Sequence, residues 1–262
     1  MTAVQLPGVT LNVQVDGAPD KPWIILSNSL GANLAMWDDQ IDLLTSKYQV
    51  LRYDTRGHGE SAVPEGPYSL DDLQDDVLAL MAHFGIDRAD WLGLSMGAMT
   101  GMGLAINHGD RFGRMVFADG RADAPESFRT MWDERCAKIA SGGTAAIADG
   151  TMGTWLTAEF QAANPQVADK LRTMIVETPD DGYIACAMGL KNLDYLRQLN
   201  EIRLPALYVG GEADPGAPPA VMQEMADATP GASYIAIPDA AHIANVNAAA
   251  RFNEIIATFF EI

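Results

Sequence analysis

Three residue types capable of acyl-transfer chemistry occur in a telling order along the chain. Ser95 sits inside Gly93-Leu94-Ser95-Met96-Gly97, Asp214 follows an apolar run, and His242 follows the next one. A serine hydroxyl is a poor nucleophile at neutral pH unless an imidazole takes its proton. The imidazole in turn needs a carboxylate to fix its tautomer and stabilise its charged form. Gly-x-Ser-x-Gly after a buried strand is the pattern of a nucleophile elbow, a strand-to-helix turn that exposes the serine Oγ, and its triad partners follow in the order serine, acid, histidine. Ser95, Asp214 and His242 satisfy that order. Asp119, also at a strand end, is the rival acid, and His58 is a rival base that the chain order disfavours.

The flanking sequence supplies the elements such a site needs. Trp91, Leu92 and Leu94 make the buried strand before the elbow, and small residues including Gly101 and Gly103 predict a following helix lying close to the sheet. Ahead of them, Leu11-Asn12-Val13-Gln14-Val15 alternates like a half-buried antiparallel strand, and Trp23-Ile24-Ile25-Leu26 runs apolar like a parallel one. The second opens into Ser27-Asn28-Ser29-Leu30-Gly31. A helix over Met36–Ser46, a strand over Gln49–Tyr53 and a capped helix beginning at Ser69-Leu70-Asp71-Asp72 follow. The loop Asp54-Thr55-Arg56-Gly57-His58-Gly59 lies between the last two, with Asp54 and Arg56 suited to pairing or to capping backbone groups. His83 and His108 read as surface residues.

Regular alternation stops after Met115-Val116-Phe117-Ala118. From Gly120 to about Asn200 the pattern is helical and irregular, with breaks at Gly142-Gly143, Pro165 and Pro179. Strands over 206–211 and 233–237 and helices near 220–228 and 252–260 then complete the chain. The expected organisation is a core of residues 1–120 and 200–262 with a helical cap inserted at 121–199.

Composition narrows the partners. With 262 residues and 48% apolar content there is enough chain for one large α/β domain. A formal charge of −18 argues against a nucleic-acid partner, because such affinity comes from clustered Lys and Arg. The acidity is uneven: residues 121–200 hold eight basic and eleven acidic side chains, leaving nine against twenty-four elsewhere. No apolar run is long enough to span a membrane, and the first residues lack a signal-like pattern, so a soluble, cytoplasmic protein is expected. Cys136 and Cys186 read as free thiols, and no metal or organic cofactor is implied.

Leu26-Ser27-Asn28-Ser29-Leu30-Gly31, Met36-Trp37-Asp38, Val50-Leu51-Arg52-Tyr53-Asp54-Thr55-Arg56-Gly57-His58-Gly59 and the elbow together resemble the 3-oxoadipate enol-lactonase group of the α/β-hydrolases. The resemblance covers roughly residues 10–118 and 200–262. It implies a mostly parallel eight-stranded sheet flanked by helices, with Ser95 as nucleophile, Asp214 as acid and His242 as base. It further implies an oxyanion hole made by the N–H groups of Ser29 and Met96. Leu30, Trp132, Trp155 and Arg121 are the candidate substrate contacts, and the expected substrate is a small ester or lactone. Two stretches depart from the group: Ala98 replaces a second glycine, and Ala118-Asp119-Gly120-Arg121 replaces an Asn-Thr-Ala-type sequence. A general carboxylesterase, a cofactor-free perhydrolase or haloperoxidase and a non-catalytic ligand receptor are the alternatives. Dehalogenase chemistry would require a carboxylate where Ser95 stands.

Overall fold

The computed structural model describes all residues, Met1–Ile262. Eight strands form one sheet: β1 (Thr2–Leu6), β2 (Val9–Asp16), β3 (Trp23–Ser27), β4 (Gln49–Tyr53), β5 (Ala89–Leu94), β6 (Phe112–Ala118), β7 (Ala206–Gly211) and β8 (Ser233–Ile237). Their order is β1-β2-β4-β3-β5-β6-β7-β8. β1 and β2 form an antiparallel hairpin, β2 also runs antiparallel to β4, and every other pair is parallel. The sheet therefore has the expected mostly parallel, eight-stranded form. β1 has no counterpart in the sequence reading, although Val4 and Leu6 point into the core while Thr2, Ala3 and Gln5 are exposed.

Helices cover both faces. α1 (Asp38–Thr45), preceded by a 3₁₀ turn over Leu34–Trp37, replaces the single helix expected from Met36. α2 (Leu70–His83) begins with the expected capping box, Ser69 and Asp72 bonding to each other's backbone N–H groups. α3 (Met96–Asn107) is buried along most of its length, which explains its uniformly small and apolar sequence. Gly101 lets it lie on β5, since a Cβ there would meet the Trp91 ring at 2.2 Å. Gly103 faces the other way, toward Gln74 of α2 and Tyr195, because residues two apart on a helix point about 200° apart. The sequence expectation that both glycines face the sheet is thus corrected.

Between β6 and β7 the chain runs through α4 (Glu126–Gly142), α5 (Ala148–Trp155), α6 (Ala158–Ala163), α7 (Pro165–Glu177) and α8 (Asp180–Leu190). Two of the three sequence breaks become helix starts, Pro165 opening α7 and Pro179 preceding α8, while Gly142-Gly143 ends α4. After β7 come α9 (Pro219–Ala228), the short α10 (Ala244–Asn247) and α11 (Ala249–Phe260), the last burying Phe252, Ile255, Ile256 and Phe260. No helix is long and apolar enough to cross a membrane. Cys136 and Cys186 are free.

Register aligns the strand ends that matter. Ser27 pairs with Gly93, Leu94 with Ala118, and Ala118 with Val209. The loops after β3, β5, β6, β7 and β8 consequently emerge along one carboxyl edge, the place where open parallel sheets bind ligands.

Candidate active site

At that edge Ser95 adopts φ 56° and ψ −113°, a backbone conformation that non-glycine residues rarely accept. Close packing imposes it. A Cβ at Gly93 would lie 2.3 Å from the Gly97 carbonyl oxygen, and one at Gly97 would lie 2.1 Å from that of Ser27. Only glycine at both positions lets the elbow close against β3. The Ser95 N–H, donating to Ala118 O at 2.8 Å, extends the sheet bonding one residue past β5.

Asp214 and His242 arrive from the loops after β7 and β8. Asp214 is almost wholly buried; its Oδ1 accepts the Gly216 N–H at 2.7 Å, and its Oδ2 accepts the Nδ1–H of His242 at 2.8 Å. An ionised carboxylate can only accept, so Nδ1 carries the proton and Nε2 is left as acceptor for the Ser95 Oγ–H, at 2.8 Å. Burial pulls the imidazole pKa down, but the charge and hydrogen bond of Asp214 outweigh it, and the net shift is upward.

The two rivals stand apart from this line. Asp119 is fully buried with φ 46°; its Oδ1 accepts the Gly211 N–H at 2.8 Å, and its Oδ2 has no partner. Burial and the nearby Asp214 charge raise its pKa well above the carboxylate range, which favours a neutral acid. His58 is buried in the loop after β4, donating from Nδ1 to Arg56 O at 3.2 Å, and burial lowers its pKa to about 4. Arg56 pairs with Asp76 through two 2.7 Å bonds, while Asp54 accepts the N–H groups of Leu34 and Glu60. That loop is structural bracing.

Asn28 explains the unusual Ser-Asn-Ser loop. Its Nδ2 donates to Tyr53 O at 2.7 Å and its Oδ1 accepts the Trp37 Nε1–H at 2.9 Å, while its carbonyl accepts the Gly97 N–H at 3.0 Å. The loop is thereby fixed to β4, the 3₁₀ turn and the elbow at once. Ser29 is buried, and its N–H donates to Met36 Sδ at 3.4 Å. A thioether is a weak acceptor, so this N–H is only weakly satisfied. Met96 opens α3, where an N–H has no carbonyl one turn earlier to bond.

A cavity of about 270 Å³ lies over Ser95 and His242. The candidate contacts Leu30, Trp132, Trp155 and Arg121 all line it, as do Ser29 and Asp119. Arg121 is committed elsewhere, paired with Asp123 at 3.0 Å and stacked over Phe128. Arg135, which the sequence offers only as one cation among several, also lines the cavity and is held by hydroxyls: Nε donates to Tyr183 OH at 2.8 Å and Nη2 to Thr151 Oγ1. One turn earlier on α4, the Trp132 Nε1–H is buried without a partner. Arg135 and Trp132 thus belong to one stretch of the cavity wall, the first held by hydroxyls and the second with its indole N–H unpartnered.

Comparison with known proteins agrees with the architecture. The family model described as alpha/beta hydrolase fold matches residues 22–249. A 3-oxoadipate enol-lactonase of Acinetobacter baylyi is 36% identical, over 95% of this chain and 92% of that protein. The crystal structure of the enol-lactonase from Burkholderia xenovorans superposes with a TM-score of 0.95 at 37% identity, covering 100% of both chains. A thermophilic esterase from Thermogutta terrifontis, solved with malate bound, gives a TM-score of 0.91 at 27% identity over 99% of this chain and 96% of its own. Sequence and structure agree along nearly the whole length, and the chain belongs to the alpha/beta hydrolase fold family, where it resembles the 3-oxoadipate enol-lactonase group.

Proposed function

We propose that this chain is a serine hydrolase that cleaves a small ester or lactone carrying a carboxylate. The observation that carries the reading is the unbroken hydrogen-bonded line Asp214–His242–Ser95 opening into the cavity. The enol-lactonase names of the relatives support a lactone, and the malate in the esterase supports a carboxylate-bearing ligand.

Ser95 Oγ attacks the carbonyl carbon while His242 Nε2 takes its proton. The oxyanion is held by the Ser29 and Met96 N–H groups; losing one such donor typically costs ~10²–10³ in kcat. His242 returns the proton to the leaving oxygen, which in a lactone stays tethered to the acyl group. Water, deprotonated by His242, then attacks the acyl-enzyme and releases Ser95 and a carboxylic acid. Arg135 and the Trp132 indole N–H bind the substrate carboxylate. A long-range field from a charge of −18 repels an anion, so local donors in the less acidic 121–199 segment are what admit it. In this reading 121–199 is a cap over a core formed by 1–120 and 200–262.

A panel of neutral aryl esters, simple lactones and carboxylated lactones including 3-oxoadipate enol-lactone, run at low and high salt with Ser95→Ala as control, tests this. Preference for the carboxylated lactone supports the substrate assignment. Neutral esters winning without salt dependence would leave a general carboxylesterase. Turnover surviving in Ser95→Ala would remove the serine mechanism altogether.

A further inference from the structure

The loop carrying His242 is joined to the wall of the cavity by backbone bonds. The His242 N–H donates to Thr154 O at 3.3 Å and the Ile243 N–H to Trp155 O at 3.0 Å. Thr154 and Trp155 both line the cavity. Asn247, at the end of α10, closes the same junction from behind. Its Oδ1 accepts the N–H of Ala241, the residue before His242, at 3.1 Å, and the N–H of Thr157 at 2.9 Å. Its Nδ2 donates to Asp239 O at 3.4 Å. Asn247 is buried and is not among the residues that line the cavity.

A carboxamide oxygen has two lone pairs, and here one is given to the base loop and the other to the insertion. The base loop needs such support: Asp239 holds the left-handed region at φ 57°, and no regular element covers residues 239–243. Movement of the 154–157 segment therefore pulls on both sides of His242, through Thr154 and Trp155 directly and through Asn247 at Ala241. We infer that Asn247 is a positioning residue for His242, clamping the base to the Thr154–Thr157 segment so that substrate packing on Thr154 and Trp155 sets the imidazole. The inference rests on His242 being the base. A displacement of about 1 Å at reacting groups can cost ~10²-fold, so a clamp of this kind belongs in kcat.

Thr157 offers a clean test because its φ is −63° and that of Leu156 before it is −131°, both compatible with proline at position 157. Thr157→Pro deletes the N–H that Asn247 accepts. Thr157→Ala keeps that N–H and removes only the hydroxyl that caps Phe160 N–H, a bond the proline variant also loses. With 4-nitrophenyl acetate, assayed on the pH plateau, the clamp predicts kcat about fivefold or more lower in Thr157→Pro than in Thr157→Ala. Asn247→Ala should lose about tenfold or more in kcat, and Asn247→Asp, which keeps the oxygen that accepts both N–H groups and loses only the long Nδ2 bond to Asp239 O, should recover to within about fivefold of wild type. Equal kcat in the two Thr157 variants, or Asn247→Asp as impaired as Asn247→Ala, overturns the inference. The ¹⁵N resonances of the His242 ring, one of four histidines, give a readout free of turnover. A wild type inert toward esters would count against the hydrolase reading, while a His242 pKa that differs between Thr157→Pro and Thr157→Ala would still support the clamp and an identical one would sink it.

Discussion

Ala98 and Gly120 meet where α3 passes the turn after β6, so closely that a Cβ on Gly120 would lie 2.8 Å from that of Ala98. These are the two places where the sequence departs from the group it resembles, and in the structure they are one contact. A methyl on the elbow helix occupies the room that a side chain after β6 would need. In this chain the two positions therefore share one space, and a Cβ fits at one only.

Gly120→Ala should destabilise by about 1–3 kcal/mol, because Ala98 is fixed in α3 and Gly120 is buried just past the end of β6, so neither can retreat cheaply. Ala98→Gly alone loses about 1 kcal/mol of helix propensity. The double variant should be more stable than the sum of the two losses predicts, by about 0.5–3 kcal/mol. Urea unfolding of all four proteins measures the coupling, and strict additivity would show that the contact carries no energy.

Much of the site was legible because each of its residues ends an apolar run, and a parallel sheet sends every such end to the same edge. Ser95, Asp214 and His242 needed only strand order to be brought together. Arg135 was not legible: cations at 121, 129, 135, 138, 191 and 197 look alike until the fold gives Arg121 and Lys191 carboxylate partners and Arg135 hydroxyls and the faces of Trp132 and Tyr183 instead. Asn247 was invisible for a similar reason, since Thr157 lies 90 residues away in sequence. Strand β1 was readable in principle from the alternation of Val4 and Leu6 before Pro7-Gly8. Its short length and polar outer face weaken that signal.

The two acids make different predictions. Asp214→Asn removes the acceptor of the Nδ1–H and should lower kcat by ~10⁴, by analogy with the serine-protease triad. Asp119→Asn keeps the oxygen that accepts the Gly211 N–H and replaces a group whose burial already favours neutrality, so kcat should fall less than about tenfold. Steady-state kinetics on one aryl ester decides between them, and the reverse ranking would make Asp119 the acid.

The pH profile has a definite sign. Only neutral His242 can take the Ser95 proton, and its pKa is raised by Asp214, so the acid limb of kcat/KM should lie above the ordinary histidine value of about 6.5. Activity then falls as pH drops through that raised pKa. In Asp214→Asn the raising charge is gone while burial still disfavours the imidazolium, so the residual activity should show its acid limb at lower pH than wild type. A limb that stays put would mean that another group controls it.

Arg135→Met tests the anionic substrate. The half-buried guanidinium has no carboxylate partner and lines the cavity, so an incoming carboxylate would gain charge-assisted hydrogen bonds that the hydroxyls do not supply. Charge-assisted hydrogen bonds contribute about 1.5–3 kcal/mol, so KM for a carboxylated lactone should rise roughly ten- to a hundredfold. A neutral aryl ester makes no such bond and should change less than about threefold. Trp132→Phe removes the unpartnered indole N–H while leaving a ring against Phe128, and should raise KM for the carboxylated substrate by a smaller factor, about three- to tenfold. The split between the two substrates is the diagnostic quantity. A uniform loss on both would make Arg135 a brace for Tyr183 and Thr151, whereas a loss confined to the anion would make it the residue that admits a negatively charged substrate to an acidic protein.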